Sequence, residues 1–411
     1  MNSILSWEEL KNFKIESLDR TNGINNSYSN LRLFGRKENE VDLILYRDRH
    51  SWCPYCQKIW LWLEFKKIPY KVKKINMFCY GQKEKWYLKK VRSGKLPAIE
   101  YEGIVITESD EIITFLESKF GSLGSSITSK NLEGIRNLER EIFRAWCNWL
   151  CRASFNHLDE DFRKNRFKEA IFKFEKILSN SEMGFLDAIE FQSNKFIPGT
   201  GDIIFIPYIE RINASLSYYK GFNLRENYPF IDKWLTLLED LDTYKGTQGD
   251  FHTHAHDLPP QMGGCFKNIN DKQVYFSDNI DCGLGLGKLE FNQESDLNYY
   301  AKFALKRVLK HKDNIINSNP YKEESFDESL RSALTHMMTF EINKPVIEHE
   351  SKAIKYLKKR ISVPRDMPLL SARLFRQSLS AVEYPENGTE IDKIPTRHRY
   401  DQDPKFFKFN E

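Results

Sequence analysis

Two cysteines three positions apart, Cys53 and Cys56, frame the tetrapeptide Cys53-Pro54-Tyr55-Cys56, and what flanks it leaves few folds open. Before it runs the short apolar segment 41–46, read as a buried strand. After it comes a helical stretch to about residue 67, in which Ile59, Trp62 and Leu63 form an apolar stripe. A cysteine placed just ahead of a helix faces unpaired backbone N–H groups and the positive end of the helix dipole. Both favour thiolate over thiol, so the pKa of Cys53 is expected to fall. Pro54 suits the first helical turn, where its missing N–H would have had no partner. Cys56 sits where it can attack a mixed disulfide at Cys53. Cys53 is therefore the candidate nucleophile and Cys56 the candidate resolving thiol. Two alternatives stay open: a zinc-ligand pair, which would want a second Cys/His pair, and two inert thiols.

The pattern continues with a second strand at 70–75, a helix at 84–90 and a tight hairpin at 98–106 around Glu102-Gly103. An amphipathic helix at 110–119 follows, stopped by Gly121. The order β-α-β-α-β-β-α, preceded by an arm at 1–40, predicts an α/β thioredoxin-like domain at 41–122. Residues 128–246 carry helical periodicity with little strand signal and predict an all-α domain. Residues 247–411 predict a mixed, mainly helical C-terminal extension. It opens on His252, His254 and His256, which as a strand would share one face and, with Cys265, surround a metal; histidines without a ligand are the plainer reading. Gly283, Gly285 and Gly287 read as a loop, and 383–411 as a partly extended tail. Cys147 and Cys151, one helical turn apart beside Trp146 and Trp149, read as core residues; if that helix lines a pocket, its tryptophans would form an aromatic wall.

Composition narrows the function classes. The 411 residues include 29 Phe and 19 Tyr, too many aromatics for a disordered chain. With 62 Lys+Arg against 58 Asp+Glu, the charge gives no argument for nucleic acid. No apolar run is long enough to span a membrane, and the N-terminus reads neither as a secretory signal nor as a transit peptide. Seven cysteines without regular spacing are no disulfide framework. A cytoplasmic, reducing location is expected.

Taken together, these segments resemble the glutathione transferase superfamily, in its cysteine-type branch. Cys53-Pro54-Tyr55-Cys56 is similar to the active-site motif of dithiol glutaredoxins and of some cysteine-type transferases. Lys95-Leu96-Pro97-Ala98 resembles the segment that holds a cis-proline. Thr107-Glu108-Ser109-Asp110 resembles the Glu-Ser pair that binds the γ-glutamyl end of glutathione. Gly201-Asp202-Ile203 through Pro207-Tyr208, and Tyr228-Pro229 through Trp234, resemble the capped core helix and a late helix of the all-α glutathione-transferase domain; Gly199 departs from the usual Ser/Thr of the capping box. His256-Asp257-Leu258-Pro259-Pro260 with its glycines, and Val363-Pro364-Arg365-Asp366, resemble the long extension of the iota class of photosynthetic organisms.

The resemblance implies glutathione as co-substrate and no metal. It assigns the Leu96 backbone and Pro97 to the cysteinyl part of glutathione, Glu108 to its ammonium and Ser109 to its γ-glutamyl carboxylate. Lys83, in a Lys-x-x-Trp segment with Trp86, is implied for the glycyl carboxylate, with Lys95 as rival; for either, a solvated surface lysine is the plain alternative. The expected activity is thiol transfer or reduction by thiol–disulfide exchange on a small or glutathionylated acceptor, with conjugation to electrophiles secondary. A ligand-binding protein with little turnover is the second expectation. The expected partners are glutathione and the acceptor, with a homodimer possible and neither nucleic acid nor membrane.

Overall fold

The computed structural model describes residues 4–13, 18–192, 195–286, 294–339, 352–382 and 399–402. A helix α1 (Trp7–Lys11) and a two-residue strand β1 (Leu31–Arg32) precede the expected unit. That unit is β2 (Leu43–Asp48), α2 (Pro54–Lys66), β3 (Tyr70–Ile75), α3 (Lys85–Lys90), β4 (Ala98–Tyr101), β5 (Ile104–Thr107) and α4 (Ser109–Phe120). The sheet runs β1-β3-β2-β4-β5. β2 and β3 are parallel, joined through α2; β4 lies antiparallel to β2, and β5 to β4. This is the thioredoxin-like arrangement, with its hairpin turned by Glu102 and Gly103, both at positive φ (49° and 81°), as a two-residue type I′ turn requires.

The central helix α2 is buried on nearly every side, because the sheet, α4 and the helical domain all pack on it. With even its polar Gln57, Lys58 and Glu64 buried, the helix has no solvent face to spare, and that fixes the cysteine at its head.

The helical domain contains α5 (Lys130–Leu150), α6 (His157–Ser179), α7 (Thr200–Lys220), α8 (Leu224–Asn227), α9 (Pro229–Glu239) and α10 (Asp242–Lys245). Every residue of α7 is buried. One hairpin interrupts the expected all-helical run: β6 (Ala188–Gln192) against β7 (Lys195–Pro198). Its role is to deliver Asp187 to the head of α7. The Asp187 carboxylate accepts from the N–H groups of Ser125 (2.9 Å) and Gly201 (3.3 Å). A Cβ on Gly199 would lie 2.4 Å from that carboxylate, so the missing Ser/Thr of the capping box is explained by a cap supplied from elsewhere in the chain.

Asp202, fully buried in the first turn of α7, accepts from the N–H groups of Leu186 (2.8 Å) and Asp187 (2.9 Å) and from the Trp234 indole (2.8 Å). Burial pushes its carboxyl up to about 6, against the pull of those donors. The folded chain then holds this proton more tightly than the unfolded chain, so the group costs stability as pH rises from about 4 through 6. With roughly two pH units between the two states, the loss is about 3 kcal/mol. We expect the unfolding free energy of wild type minus that of Asp202→Asn to fall by this amount between pH 4 and 7 in denaturant titrations. A difference that does not change with pH would refute the assignment.

The extension supplies α11 (Phe251–Met262), α12 (Asp271–Asp281), α13 (Glu294–Asn317), α14 (Phe326–Thr339), α15 (Lys352–Arg360) and α16 (Leu369–Ala381). Helices α13 to α16 build a second apolar core around residues such as Leu305, Leu330 and Phe375. Described residues of the N-terminal arm pack against the rest of the chain. Leu10 is buried in that second core, and Arg32 pairs with Glu64 of α2 at 2.8 Å, both sealed from solvent, while Tyr70 donates to the same carboxylate.

The histidine tract is a helix, not a strand. Asp250 caps α11 by accepting from the Thr253 N–H (2.8 Å), which favours helix from the first residue. Pro259 and Pro260 leave the carbonyls of Ala255 and His256 without helical donors. Tyr219 and Arg399 donate to these two carbonyls, both at 2.9 Å, so the helix is kept. Gly283 and Gly285 lie in a turn at positive φ, as a loop reading expects, and Gly287 lies outside the described residues. Of the expected tail, only 399–402 is described.

Candidate active site

Cys53 is the N-cap residue of α2, in extended conformation, with Pro54 at the first helical position. It is 7% exposed, and its Sγ lies 4.0 Å from the Leu96 carbonyl oxygen. The Leu96–Pro97 bond is cis. Cys56, one turn on, is sealed from solvent, and burial together with the neighbouring Cys53 sulfur raises its thiol pKa well above the ordinary value.

Three charged side chains crowd these sulfurs, two of which sequence reasoning did not single out. Asp48, at the end of β2, accepts from the Trp52 N–H (2.6 Å), and its ligating oxygen lies within 4.8 Å of both sulfurs. Arg211 of α7 donates to the carbonyl of Trp52 and to Gln57 Oε1 (2.8 Å). Lys83 is buried rather than solvated, with its Nζ 5.1 Å from the Phe78 ring centroid and 5.9 Å from that of Tyr87. Burial lowers its ammonium pKa, while the charges of Cys56, Cys53 and Asp48 pull it back up. Its rival, Lys95, is exposed and pairs with Glu108 at 3.0 Å.

Glu108 is the N-cap residue of α4, at φ 64°, yet its side chain makes no cap bond and stays 59% exposed. Ser109 is buried, and its hydroxyl accepts from Lys58 Nζ (3.2 Å). Lys58, on α2, also holds Asp110 (3.2 Å), whose other oxygen takes Arg136 (2.7 Å). Burial would raise the Asp110 carboxyl, but Lys58 and Arg136 outweigh it and hold it below the usual range. The head of α4 is thus tied to the same helix that presents Cys53.

The expected tryptophan wall is not formed. Trp146 and Trp149 are buried and donate inward, to Ser215 Oγ (3.0 Å) and Glu160 Oε1 (2.7 Å). Beside the cysteine motif, aromatic surface comes instead from Tyr55, edge-on to Tyr208, and Phe143, edge-on to the same ring, with Arg140 stacked over Phe143 and Tyr208. Cys147 is half-buried, and the adjoining Cys151 thiol and burial both raise its pKa, which keeps it a protonated packing group.

Beneath α2, a buried network reaches the extension. Glu210 Oε1 meets His254 Nε2 (2.6 Å) and the Gly249 N–H (2.6 Å), while Oε2 accepts from Gln57 (3.0 Å) and Tyr244 (3.2 Å). Burial favours the neutral form of both partners. In Glu210 the contacts with His254, Arg211 and Gln57 outweigh it and keep the carboxylate ionised; in His254 burial and Arg211 prevail and keep the imidazole neutral. His254 is therefore a buried partner of the helix carrying the cysteines, and does not sit with His252 and His256.

Residues 52–119 match the family model described as glutathione S-transferase, N-terminal domain. The chain is 22% identical over 216 residues to glutathione S-transferase DHAR3, chloroplastic, of Arabidopsis thaliana, covering 52% of this chain and 75% of that one. It is 24% identical over 205 residues to glutathione S-transferase L3 of the same plant, covering 48% and 79%. Among solved structures it is similar to the dehydroascorbate reductase of Chlamydomonas reinhardtii (20% identity, TM-score 0.41, 51% and 93% covered). It is also similar to rice GST1 in complex with glutathione (16% identity, TM-score 0.44, 55% and 99% covered). Among the described residues no helix is long and apolar enough to cross a membrane. Residues 52–119 are thus similar to the N-terminal domain of glutathione S-transferases, and the plant relatives are glutathione S-transferases similar to this chain over about half of its length.

Proposed function

We propose that the protein is a glutathione-dependent thiol transferase or reductase of the cysteine type, acting by thiol–disulfide exchange through Cys53. The observation that carries this reading is the placement of Cys53: a sulfur at the head of a buried helix, beside the Leu96 carbonyl and within reach of Asp48, Lys83 and Arg211. A hydroxyl in this place would steady a glutathione thiolate for attack on electrophiles; a thiol forms a disulfide with it. The Cys53 thiolate attacks the glutathionyl sulfur of a glutathionylated substrate. A Cys53–glutathione disulfide forms, and the substrate leaves as its thiolate. A second glutathione thiolate then attacks the glutathionyl sulfur, releasing oxidised glutathione and restoring the Cys53 thiolate. In this reading Leu96 presents backbone polar groups to the cysteinyl unit, while Ser109 and the adjacent Lys58 receive the γ-glutamyl carboxylate, with Glu108 near the ammonium. Lys83, buried beside the Phe78 and Tyr87 rings, is the lysine this reading assigns to the glycyl carboxylate. The extension and the iota-class resemblance fit this reading without adding to its chemistry.

The test is release of glutathione from a glutathionylated peptide, with reduced glutathione as co-substrate and mass spectrometry of the trapped enzyme. We expect turnover and a glutathione adduct on Cys53; neither turnover nor adduct would overturn the proposal. A second reading, ligand carriage, is favoured by a cavity of about 820 Å³ lined by residues of the helical domain and the extension, among them Arg225, Glu239, Phe251 and Leu369. A chromophore retained through purification, with negligible exchange rates, would favour it.

A further inference from the structure

We propose that His252, His256 and Asp281 form a binding site for a divalent transition-metal ion of the zinc type, separate from the cysteine centre. One ligating atom from each of the three lies within 4.8 Å of the others. The two histidines are four apart on α11, so the helix stacks them on one face, and their ring centroids are 4.4 Å apart. Asp281 enters from the last turn of α12, with Oδ1 2.7 Å from His256 Nε2. A second, independent observation points to a missing ligand: His252 is 3% exposed, and neither of its ring nitrogens has a hydrogen-bond partner. A buried imidazole is ordinarily satisfied, and a metal ion is what two imidazoles and a carboxylate are suited to satisfy.

The surroundings fit this use. Tyr218 donates to Asp281 Oδ2 (3.0 Å), leaving Oδ1 for the ion and orienting the carboxylate as outer partners of metal ligands do. The cations near His252 are engaged elsewhere: Arg376 with Asp250, Arg399 with Asp257 (3.2 Å) and the His256 carbonyl, and Lys358 with Ser380 Oγ (3.3 Å). The Asp281 side chain is 41% exposed, which gives an ion a way in and leaves room for water as a further ligand. Because α11 also carries His254, which bonds to Glu210 under α2, an ion here would clamp α11 to α12 at the base of the helical domain.

The test uses the full chain in a Cys53→Ser/Cys56→Ser background, because Asp48, Cys53 and Cys56 offer a competing set of ligands. Chelator-treated protein is titrated with Zn²⁺ against a chromophoric competitor, and Co²⁺ is substituted for its absorption spectrum. We expect one ion per chain and Co²⁺ d–d bands without a thiolate charge-transfer band. We expect binding to be at least about tenfold weaker in Asp281→Asn and in Tyr218→Phe, and lost in His256→Gln. Absence of binding, binding unchanged in Asp281→Asn, or a thiolate charge-transfer band would each overturn the proposal. Asp281 is half-exposed, so its variant keeps the test valid should a histidine variant fail to fold.

Discussion

Cys53→Ser should lose thiol-exchange activity by about 10³-fold or more, the scale on which removal of a covalent nucleophile is felt, while Cys56→Ser should keep most of its turnover. The asymmetry follows from where the sulfurs sit. Cys53 occupies the cap position of α2, 7% exposed and beside the Leu96 carbonyl, with Arg211 among the charges that face it. Cys56 lies a turn deeper and is sealed, and burial keeps it a thiol at neutral pH. Resolution by Cys56 requires its thiolate, so the glutathione in solution, not Cys56, should release the mixed disulfide. Raising the pH should bring Cys56 into play: the fraction of enzyme isolated with an internal disulfide, read by mass after alkylation, should rise with pH in wild type. Full activity in Cys53→Ser would remove the nucleophile from the mechanism, and loss of activity in Cys56→Ser equal to that in Cys53→Ser would establish a dithiol route.

What could be read in advance was whatever is local. A strand, a cysteine cap and a helix announce themselves through spacing and end chemistry, and Leu96-Pro97 and Glu108-Ser109 follow within one compact unit. Two charged groups were missed: Asp48, at the end of the strand just before the motif, and Arg211, which reaches the site from far along the chain. Arg211 arrives from α7, and nothing in its own stretch marks it, because an all-buried helix has no periodicity to set a functional face apart. Lys83 reads as a glutathione-binding candidate with a solvated lysine as the alternative, and the Phe78 and Tyr87 rings that cover it are what the sequence does not show. The histidine tract was misjudged for the opposite reason. Alternation at every second residue imitates a strand, but Asp250 and the donors Tyr219 and Arg399 settle the helix, and a helix pairs His252 with His256 while sending His254 elsewhere. Likewise the first forty residues look polar and loose, yet Arg32 finds its carboxylate 32 positions on, where no local pattern could show it.

Arg376→Leu should destabilise the protein by about 3–5 kcal/mol, the range for removing one member of a buried ion pair. Arg376 lies in α16, wholly shielded from solvent, and its guanidinium meets Asp250 and the carbonyls of Ile361 and Lys358. Asp250 is the cap of α11, and burial would push its carboxyl up were it not for Arg376 and the Thr253 donors, which hold it below the usual range. Leucine in place of arginine leaves that carboxylate buried and unpaired, and two carbonyls without a donor. The damage should fall first on the attachment of the extension, because α16 packs on α13 and α14 and this pair joins it to α11. The transition that releases the extension in urea, and the onset of proteolysis within it, should therefore move to milder conditions, with the cysteine centre less affected. Adding Asp250→Asn should recover part of the loss, since asparagine still caps the helix without a charge to bury. If Arg376→Leu alone unfolds at the wild-type denaturant concentration, the pair is not what holds the extension to the rest of the chain.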